Sequence, residues 1–169
     1  MAKIKKLAAI KCPQCGKEME VFTREDYSFW PEGILELIMR CKNCGQKSVD
    51  VFPIVEQKPS RQELLVKEKS HLSVRVVKSS KARVIIPELG IEIEPGPASP
   101  GYISNVEGIL DQIEQVLENM VKWGKKGSGE MLERIRRIRE GLSEPFTLVI
   151  EDPSGCSLII SEETKRFNL

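Results

Sequence analysis

Apolar and polar positions along the chain change their period twice. EMEVFTRE (residues 18–25) and ILELIMRC (34–41) can pair as two strands, joined by the aromatic-rich connection DYSFWPEG. Further on, HLSVRVVKSS alternates Leu72, Val74 and Val76 against Ser73 and Arg75, and KARVIIPEL does likewise. GIEIEPG places Ile91 and Ile93 opposite Glu92 and Glu94, so this stretch predicts short antiparallel strands. Pro87 and EPGPASPG mark strand edges and exits, because proline has no N–H to give a ladder. The period then lengthens. SNVEGILDQIEQVLENMVKW repeats apolar residues at Val106, Ile109, Leu110, Ile113, Val116, Leu117 and Met120, and predicts an amphipathic helix opened by a capping box of Ser104 and Glu107. GKKGSG interrupts it. EMLERIRRIREG predicts a second helix with Met131, Ile135 and Ile138 on one face and Gly141 at its close. PFTLVIED and CSLIIS return to strand character, joined by the turn Asp152-Pro153-Ser154-Gly155. A helical hairpin at about residues 104–141 is therefore inserted between β segments.

The polar stretch EQKPSRQ, interrupted by Pro59, follows VDVFPIV and predicts a boundary between a first region, residues 1–56, and a second, residues 57–169. The length of 169 residues suits one ordinary domain with a small satellite. Hydrophobic residues at 40% against 30% charged argue for a buried core and against wholesale disorder. Net charge is only +1, so no polyanionic partner is announced by the chain as a whole. The opening MAKIKKLAAIKC sets lysines before an apolar run, but Leu7 to Ile10 is too brief for a signal-peptide core or a membrane span. The expected compartment is the cytoplasm, with no membrane partner.

Four of the five cysteines form two C-x-x-C pairs, Cys12 with Cys15 and Cys41 with Cys44. In a reducing compartment such pairs point to zinc before disulfides, and neither opens the helix that a thioredoxin-like redox motif requires. Each pair runs into glycine, as CPQCG and CKNCG, which allows a tight knuckle whose backbone amides point at the sulfurs. One structural Zn²⁺ on Cys12, Cys15, Cys41 and Cys44 is expected, the long spacing between pairs being taken up by the strand hairpin. Four thiolates leave no open position for catalysis. The one histidine, His71, precedes a strand and is expected on a surface loop, and Cys156 is expected to be a half-buried small apolar residue.

Two further features bear on partners. Tyr27, Phe29 and Trp30 either cover a thin zinc-module core or anchor a partner. The helical hairpin concentrates Lys122, Lys125, Lys126, Arg134, Arg136, Arg137 and Arg139, interleaved with Glu130, Glu133 and Glu140, which suits either a solvated face or an acidic contact. Trp123 at its tip makes Trp123, Lys125, Lys126 and Arg137 the candidate partner-binding residues. GKKGSG lacks the order of a phosphate-binding loop, and no nucleophile elbow or H-E-x-x-H is present, so nothing argues for an enzyme.

RVVKSSKARVIIPELGIEIEPG, together with CPQCG, CKNCG, VEGIL and FTLVIEDPSGCS, resembles the ZPR-type zinc-finger family over roughly residues 10–161. The resemblance implies a mostly β fold with α: a zinc ribbon followed by a double-stranded β-helix-like domain bearing the helical hairpin. Eukaryotic members carry two such units and bind the translation elongation factor one alpha GTPase, favouring its GDP form and assisting its folding. This chain shows one unit, as single-unit archaeal members do, and Cys156 stands where the family pattern has asparagine. The resemblance implies zinc ligation by Cys12, Cys15, Cys41 and Cys44 and supplies no catalytic residue. The function expected is a non-enzymatic, zinc-stabilised module that binds such a GTPase. The alternative is a nucleic-acid-associated zinc ribbon of transcription or RNA metabolism.

Overall fold

The computed structural model describes residues 3–28 and 30–169, and Phe29 of the aromatic connection lies outside them. Strands β1 (Lys3–Lys11), β2 (Glu18–Asp26), β3 (Ile34–Cys41) and β4 (Lys47–Pro53) form one antiparallel sheet in chain order. The β2–β3 register sets Met19 opposite Cys41 and Asp26 opposite Ile34, so the hairpin carries one cysteine pair to the other. Gly33 closes the connecting loop at φ 77°, where an added Cβ would come within 2.5 Å of the Tyr27 ring. Leu7 to Ile10 lies in β1, an edge strand with a bulge between Lys6 and Ala8, and Ile4, Leu7 and Ile10 are exposed.

The rest of the chain builds β5 (Ser60–Val66), β6 (Arg75–Lys78), β7 (Arg83–Ile86), β8 (Ile91–Ile93), β9 (Tyr102–Asn105), α1 (Val106–Lys122), α2 (Ser128–Gly141), β10 (Phe146–Asp152), β11 (Leu158–Ile160) and β12 (Lys165–Asn168). These form a five-stranded sheet, β12-β5-β10-β7-β8, and a three-stranded sheet, β11-β6-β9. One apolar core joins both sheets to the helices, with Leu64, Val84, Phe146 and Leu148 from the first sheet, Val76 and Ile159 from the second, and Ile109, Leu110, Ile135 and Ile138 from the helices. The chain is thus mostly β, with two helices inserted.

Several expectations need correction. HLSVRVVKSS is not one strand: Lys69–Ser73 is a 3₁₀ turn, and only Arg75–Lys78 pairs. Val76, Val77 and Lys78 are all buried because β6 is covered on both faces, which erases alternation. His71 is buried, not on a surface loop, with Nδ1 3.1 Å from the Leu65 carbonyl oxygen and Nε2 3.3 Å from Glu163. The cap of α1 is Asn105, whose Oδ1 accepts the Gly108 N–H at 2.8 Å, while Ser104 belongs to β9. Gly141 is the last helical residue of α2, and Leu142 takes the left-handed capping conformation at φ 48°. Val116 is 57% exposed despite its place on the α1 stripe. The turn after β10 makes no β10–β11 hairpin; it passes the chain from one sheet to the other.

That turn is built on Asp152, which is fully buried. Its Oδ1 accepts the Ser154 N–H and hydroxyl at 2.8 and 2.6 Å, and its Oδ2 accepts those of Ser157 at 2.8 and 2.6 Å. Gln62 extends the network across the sheets, donating to the Ser157 carbonyl at 2.5 Å and accepting the Ile159 N–H at 2.9 Å. Buried polar groups are stable when satisfied in this way. At Gly155 an added Cβ would meet the Lys58 carbonyl at 2.1 Å, so the segment leading into β5 lies directly on the turn.

Candidate metal centre and partner surfaces

Both knuckles fold alike. The Gly16 N–H donates to the Cys12 carbonyl at 2.8 Å and the Gly45 N–H to that of Cys41 at 3.1 Å, with both glycines at positive φ. Cys12 N–H and Cys41 N–H close the loops onto the Lys17 and Gln46 carbonyls, each at 2.8 Å. Register then brings the two knuckles face to face. Cys12 Sγ lies 3.7 Å from Cys44 Sγ and Cys15 Sγ 3.6 Å from Cys41 Sγ, and all four sulfurs fall within 4.8 Å of one another. A tetrahedron of 2.3 Å Zn–S bonds has edges of about 3.8 Å, so the four thiols can hold one zinc ion with little adjustment.

The electrostatics suit thiolates. The Lys17 backbone N–H, with help from the neighbouring thiols and Asn43, lowers the Cys15 thiol to about 6. Cys44 receives the same kind of help from the Gln46 N–H, but desolvation and its hydrogen bonds within the cluster hold it up at about 12. A dication held among the four sulfurs would favour the thiolate form of its ligands. All five cysteines are free of disulfides. Cys156 is fully buried, deeper than expected from the sequence, and burial, with Asp152 and Asp50 nearby, pushes its thiol to about 12. It is an inert packing residue.

Cys156 sits where the two regions meet. Ile34 and Val51 of the first sheet pack on Val77 and Cys156, flanked by Ile103 and Leu158. Gly101 admits no side chain there, since an added Cβ would lie 2.7 Å from the Val51 nitrogen. Trp30 is buried beside the joint, with the Arg166 guanidinium 4.9 Å over its ring, whereas Tyr27 is exposed. Of the aromatic connection, Trp30 reaches the second region through its contact with Arg166.

At the hairpin, three of the seven basic residues are engaged in ion pairs. Arg134 pairs with Glu144, Arg136 with Glu114, Glu118 and Glu133, and Arg139 with Asp111 and Glu114. Trp123, Lys125 and Lys126 share the turn between α1 and α2 and are exposed, Trp123 by 73%. Arg137 is exposed too, but nine residues into α2, about 14 Å along the helix from Ser128. The structure thus brings three of the four candidate partner residues together. The Asp152 network went unforeseen; its signal was serine two and five residues after an aspartate that ends a strand.

No helix among the described residues is long and apolar enough to cross a membrane. Residues 70–167 match the ZPR1 jelly-roll domain. Over 162 residues the chain is 39% identical to a ZPR1-like protein of Methanocaldococcus jannaschii, covering 90% of this chain and 80% of that one. It is 33% identical over 176 residues to a ZPR1-like protein of Pyrococcus horikoshii, covering 96% and 77%. Similarity extends at 27% identity over 157 residues to the zinc finger chaperone zpr1 of Schizosaccharomyces pombe, covering 88% of this chain and 33% of that protein.

Proposed function

Because the chain belongs to the ZPR1 family, we propose that it is a non-enzymatic client-binding module, folded around one zinc ion, that engages the translation elongation-factor GTPase. It assists the folding of that GTPase or holds its GDP form. Zinc on Cys12, Cys15, Cys41 and Cys44 would supply only cross-linking, since four thiolates complete its tetrahedron and leave no site for substrate. Protein binding finds its main support in Trp123: a large aromatic left exposed at a hairpin tip beside Lys125 and Lys126 has the composition of an interface anchor. The similarity to a relative named as a chaperone supports the same reading. A nucleic-acid role is less well supported, because Arg136 and Arg139 are already held by carboxylates of the hairpin and Arg134 by Glu144 just beyond it.

Calorimetric titration of the zinc-loaded protein against the purified elongation-factor GTPase, bound to GDP or to a GTP analogue, tests the proposal. Saturable one-to-one binding, tighter with GDP, is expected. Absence of heat with both nucleotide forms, combined with binding to random RNA that falls steeply as salt rises, would replace it with the nucleic-acid reading.

A further inference from the structure

An open groove of about 610 Å³ runs between the helical hairpin and β8. Its helical side is apolar along Val116, Leu117 and Met120 of α1 and Met131 of α2, with Lys126 and Ser128 at the hairpin-tip end. Its other wall is residues 89–94, which include all three residues of β8. Successive side chains of a strand point to opposite faces, so a groove touched by every residue of β8 faces the strand's edge. β8 is the terminal strand of its sheet and pairs with β7 alone among the described strands. Its second edge therefore presents backbone N–H and C=O groups toward an apolar floor, the arrangement that accepts an added strand.

Charge limits what can lie there. Glu92 and Glu94 both reach Arg83, at 2.6 and 3.0 Å, but Arg83 also holds Glu151, which in turn shares Arg61 with Glu63. Four carboxylates share two guanidiniums, so the rim along β8 is acidic. A second copy of this strand would set Glu92 and Glu94 against their own kind, whereas a basic residue would be welcomed on the β8 side, away from Lys126 at the groove's other wall. The two methionines add a floor that adapts to different side chains, as surfaces that accept varied sequences do.

We propose that this groove is a strand-addition site for an extended apolar segment of a protein client, one that carries basic residues. The segment pairs its backbone with the open edge of β8, turns alternate side chains onto Val116, Leu117, Met120 and Met131, and sets its basic residues beside Glu92 and Glu94. The inference rests on the client-binding function proposed above and specifies the client's chemistry: an unpaired, partly folded strand.

The test uses the whole zinc-loaded protein and a fluorescein-labelled nonapeptide alternating valine and threonine, with an arginine at each end. Two derivatives are N-methylated on alternate backbone amides, one in each phase, so that each loses the N–H groups of one strand edge. A third carries glutamate for arginine. The parent is expected to bind and to slow hydrogen exchange at residues 91–94. One methylated phase and the glutamate peptide should each bind at least about tenfold more weakly, the first because a paired edge has lost its donors. Val116→Gln combined with Met120→Gln should weaken the parent similarly with the fold retained, as thermal unfolding would verify. No binding of the parent, equal binding of both methylated phases, or full affinity in the folded double variant would each overturn the proposal. Because the probe is a peptide, such a failure removes the groove and leaves GTPase binding to be judged by its own titration.

Discussion

The four-stranded ribbon and the two-sheet domain differ in what fills their centres. Inside the ribbon the buried cluster is little more than Cys12, Met19 and Cys41, with Cys15 and Met39 at its margin. Ile34 and Val51, the most deeply buried of its remaining residues, pack against Val77 and Cys156 of the two-sheet domain. The two-sheet domain encloses twenty buried hydrophobic residues in one cluster, drawn from both sheets and both helices. A small sheet that cannot bury enough apolar surface needs a cross-link, and a larger one does not. The metal is thus a substitute for a core, and the two regions should fail under different insults.

Removing zinc tests that difference most severely. Binding of a structural zinc contributes on the order of 10–16 kcal/mol to folding, far more than the ribbon's own packing can replace. Chelation, or Cys41→Ser with Cys44→Ser, should release one zinc per chain and melt the ribbon, while the two-sheet domain keeps a cooperative thermal transition. Metal analysis with circular dichroism checks both halves. Loss of the ribbon also uncovers Cys156, so its alkylation should accelerate on chelation, and Cys156→Ser should leave the zinc content unchanged. Two metals per chain, or collapse of all structure on chelation, would break the comparison.

The converse experiment is a cavity in the larger core. Phe146 is fully buried on β10, and Phe146→Ala should cost about 3–5 kcal/mol. Thermal unfolding of the domain should shift down while metal analysis still finds one zinc. A variant that loses zinc in proportion to its stability would show that the two regions unfold as a single unit.

The same contrast explains which parts of the molecule could be read from the sequence. The cysteine centre was legible because C-x-x-C-G is local chemistry, and the helices because Ile109, Ile113, Ile135 and Ile138 recur at helical spacing. β5 was missed although its period is intact: the inward residues are Ser60, Gln62, Leu64 and Val66, and the first two are polar, with Gln62 joining the Asp152 network. β1 and β12 were missed because edge strands can be held by backbone pairing alone. Every residue of β12 is exposed, so its side chains carry no alternation. His71 looked like a surface residue, and only the packing of other elements over it makes it interior. The β8 groove was hidden for the opposite reason, since Val116 looked like core and lies open.

A smaller effect should distinguish the regions in acid. Burial raises the Asp152 pKa, but hydrogen bonds from Ser154, Ser157 and Ser79 outweigh it, so the carboxyl ends below its ordinary value of 3.8. A group depressed in the folded state contributes stability that is present above its unfolded pKa and is lost as pH falls through the folded value. Asp152→Asn should cost about 1.5–3 kcal/mol at neutral pH, because an amide cannot accept all four bonds that the carboxylate accepts. The gap between variant and parent should begin to narrow below about pH 4, where the carboxyl of the unfolded chain protonates, and continue to narrow as pH falls through the folded value. Chemical denaturation at pH 7 and pH 3, following the two-sheet domain, checks the sign. A gap that is constant with pH would mean that Asp152 acts through shape instead of charge.

The smallest effect on stability is expected at the hairpin tip. The turn is closed by its own backbone: Trp123 N–H donates to the Asn119 carbonyl at 3.0 Å, Lys125 N–H to Met120 at 3.0 Å, and the Ser128 hydroxyl to Lys125 at 2.6 Å. None of these bonds uses the side chains of Trp123, Lys125 or Lys126, and the indole is largely in solvent. Trp123→Ala with Lys125→Glu and Lys126→Glu should therefore change folding stability by no more than about 0.5 kcal/mol. If the tip is the client contact, the same three changes remove an aromatic anchor and reverse the charge that steers an acidic surface. Affinity for the elongation-factor GTPase should then fall by roughly thirtyfold, the equivalent of about 2 kcal/mol. Calorimetric titration beside thermal unfolding separates the outcomes. Unchanged affinity in a stably folded variant would exclude the tip as the contact surface, and a lowered melting temperature would show that the indole serves the hairpin's own packing.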